Sequence, residues 1–312
     1  MLREIGSVIN LYINKFQSAN HILMIEPYEF YSNDQTQASN HYQNSIETAI
    51  TNKEITKKAI KEFNNLKNKI IDKGIKVTSF KGIKGCPDHI FPNWLATFED
   101  KTMQLFPMMA PNRRLEKTPD MVNALLKEYK LTADLSSHES KNVFLESTSS
   151  IVFDRINKRA FIGFSPRTNK ELATKWCKKN NFQMVGFETK SHTGEPIYHT
   201  DVFMFIGTKM LGICMDIIEP KFKAGVEKEI LKYHEVMHIE KNQLLDFCGN
   251  AIELRNKNNE PFIIMSSRAK KALTQTQVDL LLKHYKEIIH ADLSTIENFG
   301  GGSARCMITE LM

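Results

Sequence analysis

Short runs of apolar residues alternate with segments of helical periodicity along most of the chain. The runs are bounded by polar or turn-forming residues, which is the pattern of short buried strands. The strands predicted in this way are HILMIEP (21–27), IKVTSF (75–80), TMQLF (102–106), SIVFD (150–154), RAFIGFS (159–165), QMVGF (183–187), VFMFIG (202–207), LGICMDI (211–217), EVMHIE (235–240), PFIIM (261–265) and ARCMITEL (304–311).

Capping residues mark the expected helices. Thr118 precedes Pro119 and an apolar face, which predicts a helix starting there. Thr274 and Gln277 form a capping box, and apolar residues continue at helical spacing through Ile289. The other expected helices are one capped by Thr168, one or two within residues 46–73, and one from about Pro220 to Tyr233. Since no linker or low-complexity tract interrupts the alternation, we predict one α/β domain.

The composition of the 312-residue chain is that of an ordinary globular protein, with 41% apolar and 25% charged residues. The net charge of +6 comes mainly from dispersed lysines, and no Lys/Arg block of the kind that binds nucleic acid is present. No run reaches the roughly 18 apolar residues that a membrane span requires. Neither a nucleic-acid partner nor a membrane partner is therefore expected.

The five cysteines are odd in number, widely spaced and never paired as Cys-x-x-Cys. This pattern argues against a disulfide framework or a cysteine-based zinc knuckle and suits reduced thiols. The N-terminal stretch MLREIGSVINLYINKFQ also lacks the long apolar core and small-residue cleavage site of a secretory signal. We therefore predict a cytoplasmic protein.

The segment HEVMH (234–238) matches the His-Glu-x-x-His pattern of zinc hydrolases. That pattern binds zinc when the two histidines lie one turn apart on a helix. Here the preceding helix is expected to end at the motif, and EVMHIE has the pattern of a strand. We interpret the match as coincidental; a zinc hydrolase, with Glu253 or Glu260 as a conceivable third ligand, is the weakest functional hypothesis.

Cys306 follows Gly300, Gly301 and Gly302 close to the end of the chain. Glycines allow the backbone to pass close to a ligand, and a cysteine at such a place can act as a nucleophile if its thiolate is stabilised. The alternative is a buried structural thiol, which is the more common role of a cysteine.

His199 and Asp201 are two residues apart just before an apolar strand, so on an extended chain they would point to the same side. An imidazole there could transfer protons while the carboxylate binds N–H groups of a substrate. Glu146 lies among apolar residues at the entrance of another strand and could orient the imidazole and raise its pKa. The alternative for His199 is a solvated turn.

Arginines in two expected loops could bind a substrate carboxylate. Arg113 and Arg114 lie in APNRRLEK, and Arg167 lies in FSPRTN. A guanidinium binds a carboxylate through two parallel hydrogen bonds. The alternative for any one of them is a surface salt bridge.

Taken together, several separated segments resemble the guanidino-group-modifying (pentein) superfamily. These segments are CPDHIFPNW, FPMMAPNRRLEK, FLESTSSIVFD, FSPRTN, PIYHTDV and GGGSARCMI, in this order. They are most similar to bacterial citrulline-utilisation hydrolases, described as arginine-deiminase-related or amidinotransferase-like, and more distantly to dimethylarginine dimethylaminohydrolases. The resemblance covers residues 17–312 as a single catalytic domain and leaves residues 1–16 as an N-terminal extension.

The resemblance implies a five-bladed α/β propeller of ββαβ units around a central channel, with Cys306 carried by the last strand. It also implies a catalytic set of Cys306 as nucleophile, His199 as general acid/base and Glu146 as its orienting carboxylate. The substrate-binding residues that it implies are Asp201, Asp88, Asn93, Arg113 and Arg167. Asn93 stands where relatives have an acidic residue. The implied chemistry requires neither a metal nor an organic cofactor.

The chain departs from the family pattern at a few positions. Phe98 stands where the family has a histidine, and Ser147 and Ser149 replace the two glycines of Glu-Gly-Thr-Gly-Ser. These changes flank the implied substrate and orienting residues, so they bear on substrate identity and on whether activity is retained.

The small-molecule substrate implied by the resemblance is an arginine-like amino acid. Our leading hypothesis is hydrolysis of L-citrulline to ornithine, ammonia and carbon dioxide, because the segments are most similar to the citrulline-utilisation hydrolases. Asn93 adds a slight preference for a ureido group by lowering the negative charge that a guanidinium would favour, although Asp88 and Asp201 still supply two carboxylates. The alternatives are arginine deiminase or dimethylarginine dimethylaminohydrolase activity, and a pentein-fold protein that binds such a ligand without turnover.

Overall fold

Among residues 16–43 and 50–312, which the computed structural model describes, fifteen short strands form five separate three-stranded sheets. The strands are β1 (His21–Glu26), β2 (Lys76–Lys81), β3 (Leu95–Thr97), β4 (Thr102–Leu105), β5 (Lys130–Asp134), β6 (Ile151–Asp154), β7 (Arg159–Phe164), β8 (Gln183–Glu188), β9 (Met204–Ile206), β10 (Met210–Ile213), β11 (Glu235–His238), β12 (Ile252–Arg255), β13 (Pro261–Ser266), β14 (Ile288–Ala291) and β15 (Thr309–Glu310).

The helices lie between or beside these strands. They are α1 (Asp34–Gln37), α2 (Asn52–Asp72), α3 (Pro111–Arg114), α4 (Pro119–Leu125), α5 (Ser147–Ser150), α6 (Lys170–Lys179), α7 (Pro220–Ile230), α8 (Ser267–Ala272), α9 (Gln275–His284) and α10 (Ser294–Gly300). Within the described ranges, none of them is long and apolar enough to cross a bilayer.

Each sheet has the same arrangement of strands. A central strand pairs antiparallel with one neighbour and parallel with the other, and the parallel pair is joined by a helical crossover. A crossover is required because parallel strands cannot be joined by a tight turn. The chain thus repeats a ββαβ unit, and β15 completes the first sheet beside β1, with Ile22 opposite Glu310. The expected five-unit propeller is confirmed.

Burial distinguishes the inner and outer strands in four of the five sheets, the exception being the sheet of β14, a parallel neighbour that is also mostly buried. The antiparallel neighbours β3, β6, β9, β12 and β15 are almost entirely buried, whereas the parallel neighbours β2 and β5 alternate between exposed and half-buried residues. The antiparallel strands therefore lie toward the centre of the ring. The loops that lead into them consequently converge at the centre.

The capping residues seen in the sequence form most of the expected helix starts. The Thr118 hydroxyl accepts the backbone N–H of Met121, and Thr274 and Gln277 form the predicted capping box. Helix α2 begins after Thr51 with a capping box of its own and buries one apolar face, formed by Ile55, Ala59, Phe63, Leu66 and Ile70. Residues 46–49 of the predicted helical segment lie outside the described residues.

Some local predictions were wrong. Asn169, not Thr168, caps α6, because its side chain accepts the N–H of Leu172 while Thr168 donates to Ser150. Ile288 and Ile289 belong to β14, since the chain becomes extended at Tyr285 and pairs with β13. Helix α7 ends at Ile230, short of Tyr233.

Candidate active site

Cys306 lies in a single helical turn, Arg305–Met307, just before β15. The prediction that a strand carries it was therefore wrong: the backbone N–H groups of Arg305 and Cys306 bind the side chain of Asn250 rather than a neighbouring strand. Its Sγ lies 3.7 Å from Oδ2 of Asp201 and is almost completely buried.

The glycines before Cys306 allow close packing of the chain. Gly301 has φ of +61°, and a Cβ there would lie 2.6 Å from the backbone nitrogen of Gln43. The side chain of Asn40 donates to the carbonyl of Gly300 at 3.0 Å. The glycine segment that leads to Cys306 thus packs against residues 40–43.

His199 and Glu146 form a buried pair. The imidazole Nε2 lies 2.7 Å from Oε2 of Glu146, and each side chain is 1% exposed. The other carboxylate oxygen, Oε1, accepts the backbone N–H of Met109 at 2.9 Å. Among the described residues, Nδ1 of His199 has no hydrogen-bond partner, so it remains available for a proton of the substrate.

The electrostatics of the pair fix the charge of each partner. Burial alone would raise the pKa of Glu146, but Arg167, the hydrogen bond with His199 and Arg113 outweigh burial and lower it to about 2. For His199, burial lowers the pKa below its usual value although Glu146 opposes this. As expected, Glu146 acts to raise the pKa of His199. Burial lowers that pKa by more, so the expectation of a raised histidine pKa was wrong.

Asp201 and Asp88 each present one carboxylate oxygen without a partner among the described residues. Burial raises the pKa of Asp201, against the opposing charge of Arg305. In Asp88, Oδ2 accepts hydrogen bonds from Asn33 at 2.8 Å and Thr36 at 3.0 Å, which leaves Oδ1 unbound. Buried oxygens of this kind call for N–H donors from a ligand.

Asp201 reaches the site from a helical turn, Thr200–Val202, which begins directly after His199. The extended geometry predicted for this segment was therefore wrong, although both side chains lie in the same interior. Asn93, just before β3, accepts a hydrogen bond through Oδ1 from the hydroxyl of Ser149 at 2.8 Å. Ser149 also lies beside Asp201 and partly opposes the rise of its pKa.

Arg113 and Arg167 approach Glu146 from two directions. Their Nη1 atoms lie 3.9 Å and 3.8 Å from its Oε2, respectively. Arg113 is bound to Glu116, with Nε 2.8 Å from Oε1, and to the carbonyl of Phe91. Arg167 donates to Ser39 at 2.8 Å and to the carbonyl of Thr36 at 3.1 Å.

The thiol of Cys306 is neutral in this environment. Burial raises its pKa well above the usual value, and the nearby carboxylate of Asp201 raises it further. Because the pKa of His199 is lowered, the resting pair at neutral pH is a thiol and an uncharged imidazole. A nucleophile must therefore be generated when the substrate binds.

Sequence reasoning missed Asn250, whose Nδ2 lies 3.1 Å from Sγ of Cys306. A positional signal could have found it. Site residues occur in the segments that directly precede the inner strands: Asn93 before β3, Glu146 and Ser149 before β6, His199 and Asp201 before β9, and Cys306 before β15. Asn250 occupies the same place before β12.

Phe98 and the HEVMH segment, both singled out in the sequence, are not part of the candidate site. Phe98 packs in an aromatic cluster, stacked with Trp176 at 6.3 Å between ring centroids and in contact with Phe153. The HEVMH segment forms the end of a turn and strand β11, so its histidines lack the helical spacing needed for zinc. Within residues 16–43 and 50–312, no cluster of His, Cys, Asp and Glu could hold a metal ion.

The ring of five ββαβ units defines a member of the guanidino-group-modifying (pentein) superfamily. The model of the family described as N,N dimethylarginine dimethylhydrolase, eukaryotic, matches residues 26–312. The chain belongs to this family, and this places it among hydrolases that act on the C–N bonds of guanidino groups. No curated protein sequence matches the chain significantly.

Solved structures share the fold. The N-terminal domain of ArgZ, an arginine dihydrolase from the ornithine-ammonia cycle in cyanobacteria, was solved as a Cys-to-Ser variant bound to substrate. It matches with a TM-score of 0.73 and 18% identity over 93% of this chain and 98% of that domain. A His-to-Gly variant of dimethylarginine dimethylaminohydrolase, carrying an adduct with S-methyl-L-thiocitrulline, matches with a TM-score of 0.64 and 14% identity over 94% of this chain and 100% of that one.

Longer proteins contain the same fold as one part. Apo ArgZ matches with a TM-score of 0.74 and 17% identity over 94% of this chain, which spans only 41% of that chain. At these identities, the likeness to solved structures establishes the fold alone.

Proposed function

We propose that this protein hydrolyses the terminal C–N bonds of an arginine-like amino acid, with Cys306 as nucleophile. The observation that carries the proposal is the meeting, in the buried interior, of the Cys306 thiol, an Asp201 carboxylate oxygen that has no partner among the described residues, and the His199–Glu146 pair. These are the groups that attack on a resonance-stabilised carbon requires: a nucleophile, N–H acceptors and a proton carrier.

In the first half of the reaction, the N–H groups of the substrate bind the free oxygens of Asp201 and Asp88. This holds the target carbon near Sγ of Cys306. The thiol passes its proton to the neutral imidazole of His199, and sulfur attacks the carbon to form a carbon–sulfur bond while the bond to the departing nitrogen weakens. His199 then delivers a proton to the departing nitrogen, which leaves as ammonia or an amine.

In the second half, His199 accepts a proton from a water molecule, and the resulting hydroxide attacks the sulfur-bound carbon. The carbon–sulfur bond breaks, and the proton on His199 returns to the sulfur, which regenerates the Cys306 thiol and the neutral imidazole. For L-citrulline, loss of ammonia leaves an S-carbamoyl group attached to the ornithine nitrogen. Water releases this group as the carbamate of ornithine, which decomposes to ornithine and carbon dioxide. Glu146 keeps the imidazole oriented throughout.

Arg167 and Arg113 differ in how readily they could bind the α-carboxylate of the substrate, because their present hydrogen-bond partners differ. Arg167 is held by neutral partners, Ser39 and the carbonyl of Thr36, which a carboxylate can displace. Arg113 is held by the carboxylate of Glu116, which competes directly with a ligand. We therefore assign carboxylate binding to Arg167, while both arginines keep Glu146 ionised.

The side-chain N–H donor of Asn93 favours L-citrulline as substrate. Oδ1 accepts the hydroxyl of Ser149, and Nδ2 is left for a ligand. An N–H donor complements the carbonyl oxygen of a ureido group and is repelled by the all-donor edge of a guanidinium. This supports conversion of L-citrulline to ornithine, ammonia and carbon dioxide.

A second candidate is hydrolysis of arginine or a methylated arginine. It is favoured by one carboxylate oxygen each of Asp88 and Asp201 that has no partner in the described part of the chain, because a buried cation requires compensating negative charge. A bound guanidinium would also lower the pKa of the Cys306 thiol. The family and the arginine dihydrolases among the structural relatives are compatible with this candidate.

A product assay tests both candidates. The purified protein would be incubated separately with L-citrulline, L-arginine and a methylated arginine, and ammonia, ornithine and citrulline would be quantified. Ornithine from citrulline supports the first candidate, and citrulline from arginine or methylarginine supports the second. No product from any of them would reject hydrolysis of these amino acids and leave the ligand-binding alternative.

The variant Cys306→Ser tests the nucleophile. It should retain binding of the substrate and lose turnover, because a serine hydroxyl is far less readily ionised. Cys248→Ser is the matched control, since its serine can keep the hydrogen bond that the Cys248 thiol makes to the carbonyl of Ala269. Full turnover by the Cys306 variant would exclude the mechanism.

A further inference from the structure

The side-chain amide of Asn250 joins the turn that carries Asp201 to the turn that carries Cys306. Its Nδ2 lies 2.8 Å from the carbonyl oxygen of Asp201 and 3.1 Å from Sγ of Cys306. Its Oδ1 accepts the backbone N–H of Arg305 at 3.0 Å and of Cys306 at 3.4 Å. The side chain is completely buried, and among the described residues its hydrogen-bond partners all belong to these two turns.

The orientation of this amide is fixed by partners that have only one hydrogen-bonding role. A backbone N–H can only donate, so Oδ1 must face Arg305. A backbone carbonyl can only accept, so one N–H of Nδ2 must point to Asp201. The second N–H of Nδ2 then points to Sγ of Cys306. In this contact sulfur is the acceptor, and a thiolate accepts more strongly than a thiol.

The residue before Asn250 explains how the amide reaches both turns. A Cβ at Gly249 would lie 2.6 Å from the backbone of Phe203 and from the carbonyl oxygen of Val202. Any larger residue would push the loop away from the turn that carries Asp201. The loop is therefore built for close approach at this place.

We propose that Asn250 is a catalytic residue that donates a hydrogen bond to the Cys306 sulfur, stabilises the thiolate and fixes its position relative to Asp201. This rests on the proposed role of Cys306 as nucleophile and adds a residue that the sequence pattern did not indicate. The donor costs no reorganisation when the thiolate forms, because the surrounding backbone already holds it in place.

Other charged and ionisable groups also act on this sulfur. Asp201 disfavours the thiolate by its negative charge, and burial does so more strongly. Arg305 favours the thiolate by its positive charge, as does a backbone hydrogen bond from Ser303. Tyr198 lies close enough for the charge of Cys306 to raise its own pKa. Asn250 is therefore one of few groups here that favour the reactive form.

The experiment measures alkylation of Cys306 by iodoacetamide as a function of pH, in the wild type and in Asn250→Ala. Mass spectrometry of the peptide that contains Cys306 separates this thiol from the other four. In the Ala variant, the pH midpoint of alkylation should rise by about one unit or more, so that alkylation below both midpoints slows about 10-fold. The kcat should fall similarly while KM changes little.

Two further variants sharpen the comparison. Asn250→Ser keeps one O–H donor and should lie between the wild type and the Ala variant. Asn64→Ala is the matched control, because Asn64 only donates to the carbonyl of Ile60 within α2. It should leave the midpoint unchanged. A folded Asn250→Ala protein with the wild-type midpoint would overturn the proposal.

A measurement on the unaltered protein covers the case in which the variants do not fold. With asparagine labelled with ¹⁵N in its side chain, the Nδ2 resonance of Asn250 should shift with the ionisation of Cys306 and on its alkylation. A resonance insensitive to both would refute the contact. Since alkylation requires no substrate, a shifted midpoint without turnover of any amino acid would contradict the proposed function and still support stabilisation of the Cys306 thiolate by Asn250.

Discussion

The imidazole Nε2 of His199 lies 2.7 Å from Oε2 of Glu146, and the two side chains are shielded from solvent together. The carboxylate stays ionised because Arg113 and Arg167 lie near the same oxygen. The imidazole stays neutral because burial outweighs the attraction of the carboxylate. A neutral imidazole beside a fixed carboxylate is ready to accept a proton.

Glu146→Gln should impair turnover with little change in substrate binding. The amide keeps the shape of the carboxylate but cannot stabilise a protonated imidazole, so proton transfer by His199 suffers. We expect kcat to fall about 100-fold or more, the usual contribution of a general acid/base. Steady-state kinetics with the substrate found in the product assay would measure this.

Glu195→Gln is the control for this substitution, since its side chain is exposed. It should leave kcat unchanged. A Glu146→Gln enzyme with a kcat within about threefold of the wild type would show that the carboxylate is not needed for proton transfer.

The lowered pKa of His199 predicts a loss of stability on mild acidification. Above its unfolded pKa of 6.5, the group is neutral in both states and contributes no pH dependence. Below pH 6.5 the unfolded chain takes up a proton that the folded protein resists, so the free energy of unfolding falls, by at most about 1.4 kcal/mol per pH unit. His199→Gln should lack this component.

Urea denaturation of the wild type and His199→Gln between pH 7 and pH 5 would test this. The difference between their free energies of unfolding should change with pH in favour of the variant as pH falls. Other histidines with lowered pKa, such as His21 and His89, titrate in both proteins and cancel. Glu146 titrates only below its unfolded value of 4.5, outside the window. A constant difference would mean that the pKa of His199 is not lowered.

Local signals in the sequence explain which parts of the fold could be predicted. The caps at Thr118 and Thr274 act within one helical turn, so they are visible in a few residues. The turn at Cys306 is not visible in this way. It is held by Asn250, 56 residues earlier in the chain, and an apolar run before a chain end otherwise has the pattern of a strand.

In the candidate site, too, some residues can be recognised from the local sequence, whereas others depend on contacts between distant parts of the chain. Cys306, His199 and Glu146 carry chemistry in their side chains, and their segments resemble those of a known superfamily. Asn250 and Ser149 matter only through contacts made by the folded ring, to Cys306 and Asn93 respectively. No spacing along the chain reveals them until the repeating unit is known.

At position 147 we expect a glycine variant to be more stable than an alanine variant, which is the reverse of the usual order. Ser147 has φ of +47°, a left-handed conformation that strains residues with a Cβ, and its hydroxyl donates to the carbonyl of Leu95. Both Ser147→Gly and Ser147→Ala lose this hydrogen bond, but only glycine relieves the strain. The Gly variant should therefore be more stable than the Ala variant by about 1 to 2 kcal/mol.

Urea denaturation at neutral pH would measure both free energies of unfolding. The order is informative because alanine is normally more stabilising than glycine, through its smaller loss of backbone entropy. The Gly-to-Ala exchange at Gly225, in helix α7 with open space around its Cβ position, is the control and should show the usual order. A Ser147→Ala protein at least as stable as the Ser147→Gly protein would contradict the strain.

Asn93→Asp should move substrate preference from a ureido toward a guanidinium group. The substitution replaces the Nδ2 donor by an acceptor with negative charge, beside the carboxylates already present at Asp88 and Asp201. The ratio of kcat/KM for L-arginine to that for L-citrulline should rise about 10-fold or more, since one mispaired polar contact costs at least that much in discrimination. Ser149→Ala removes only the hydroxyl that orients the amide and should weaken the preference for citrulline less. Equal ratios in the wild type and the Asp variant would show that Asn93 does not contact the group being hydrolysed.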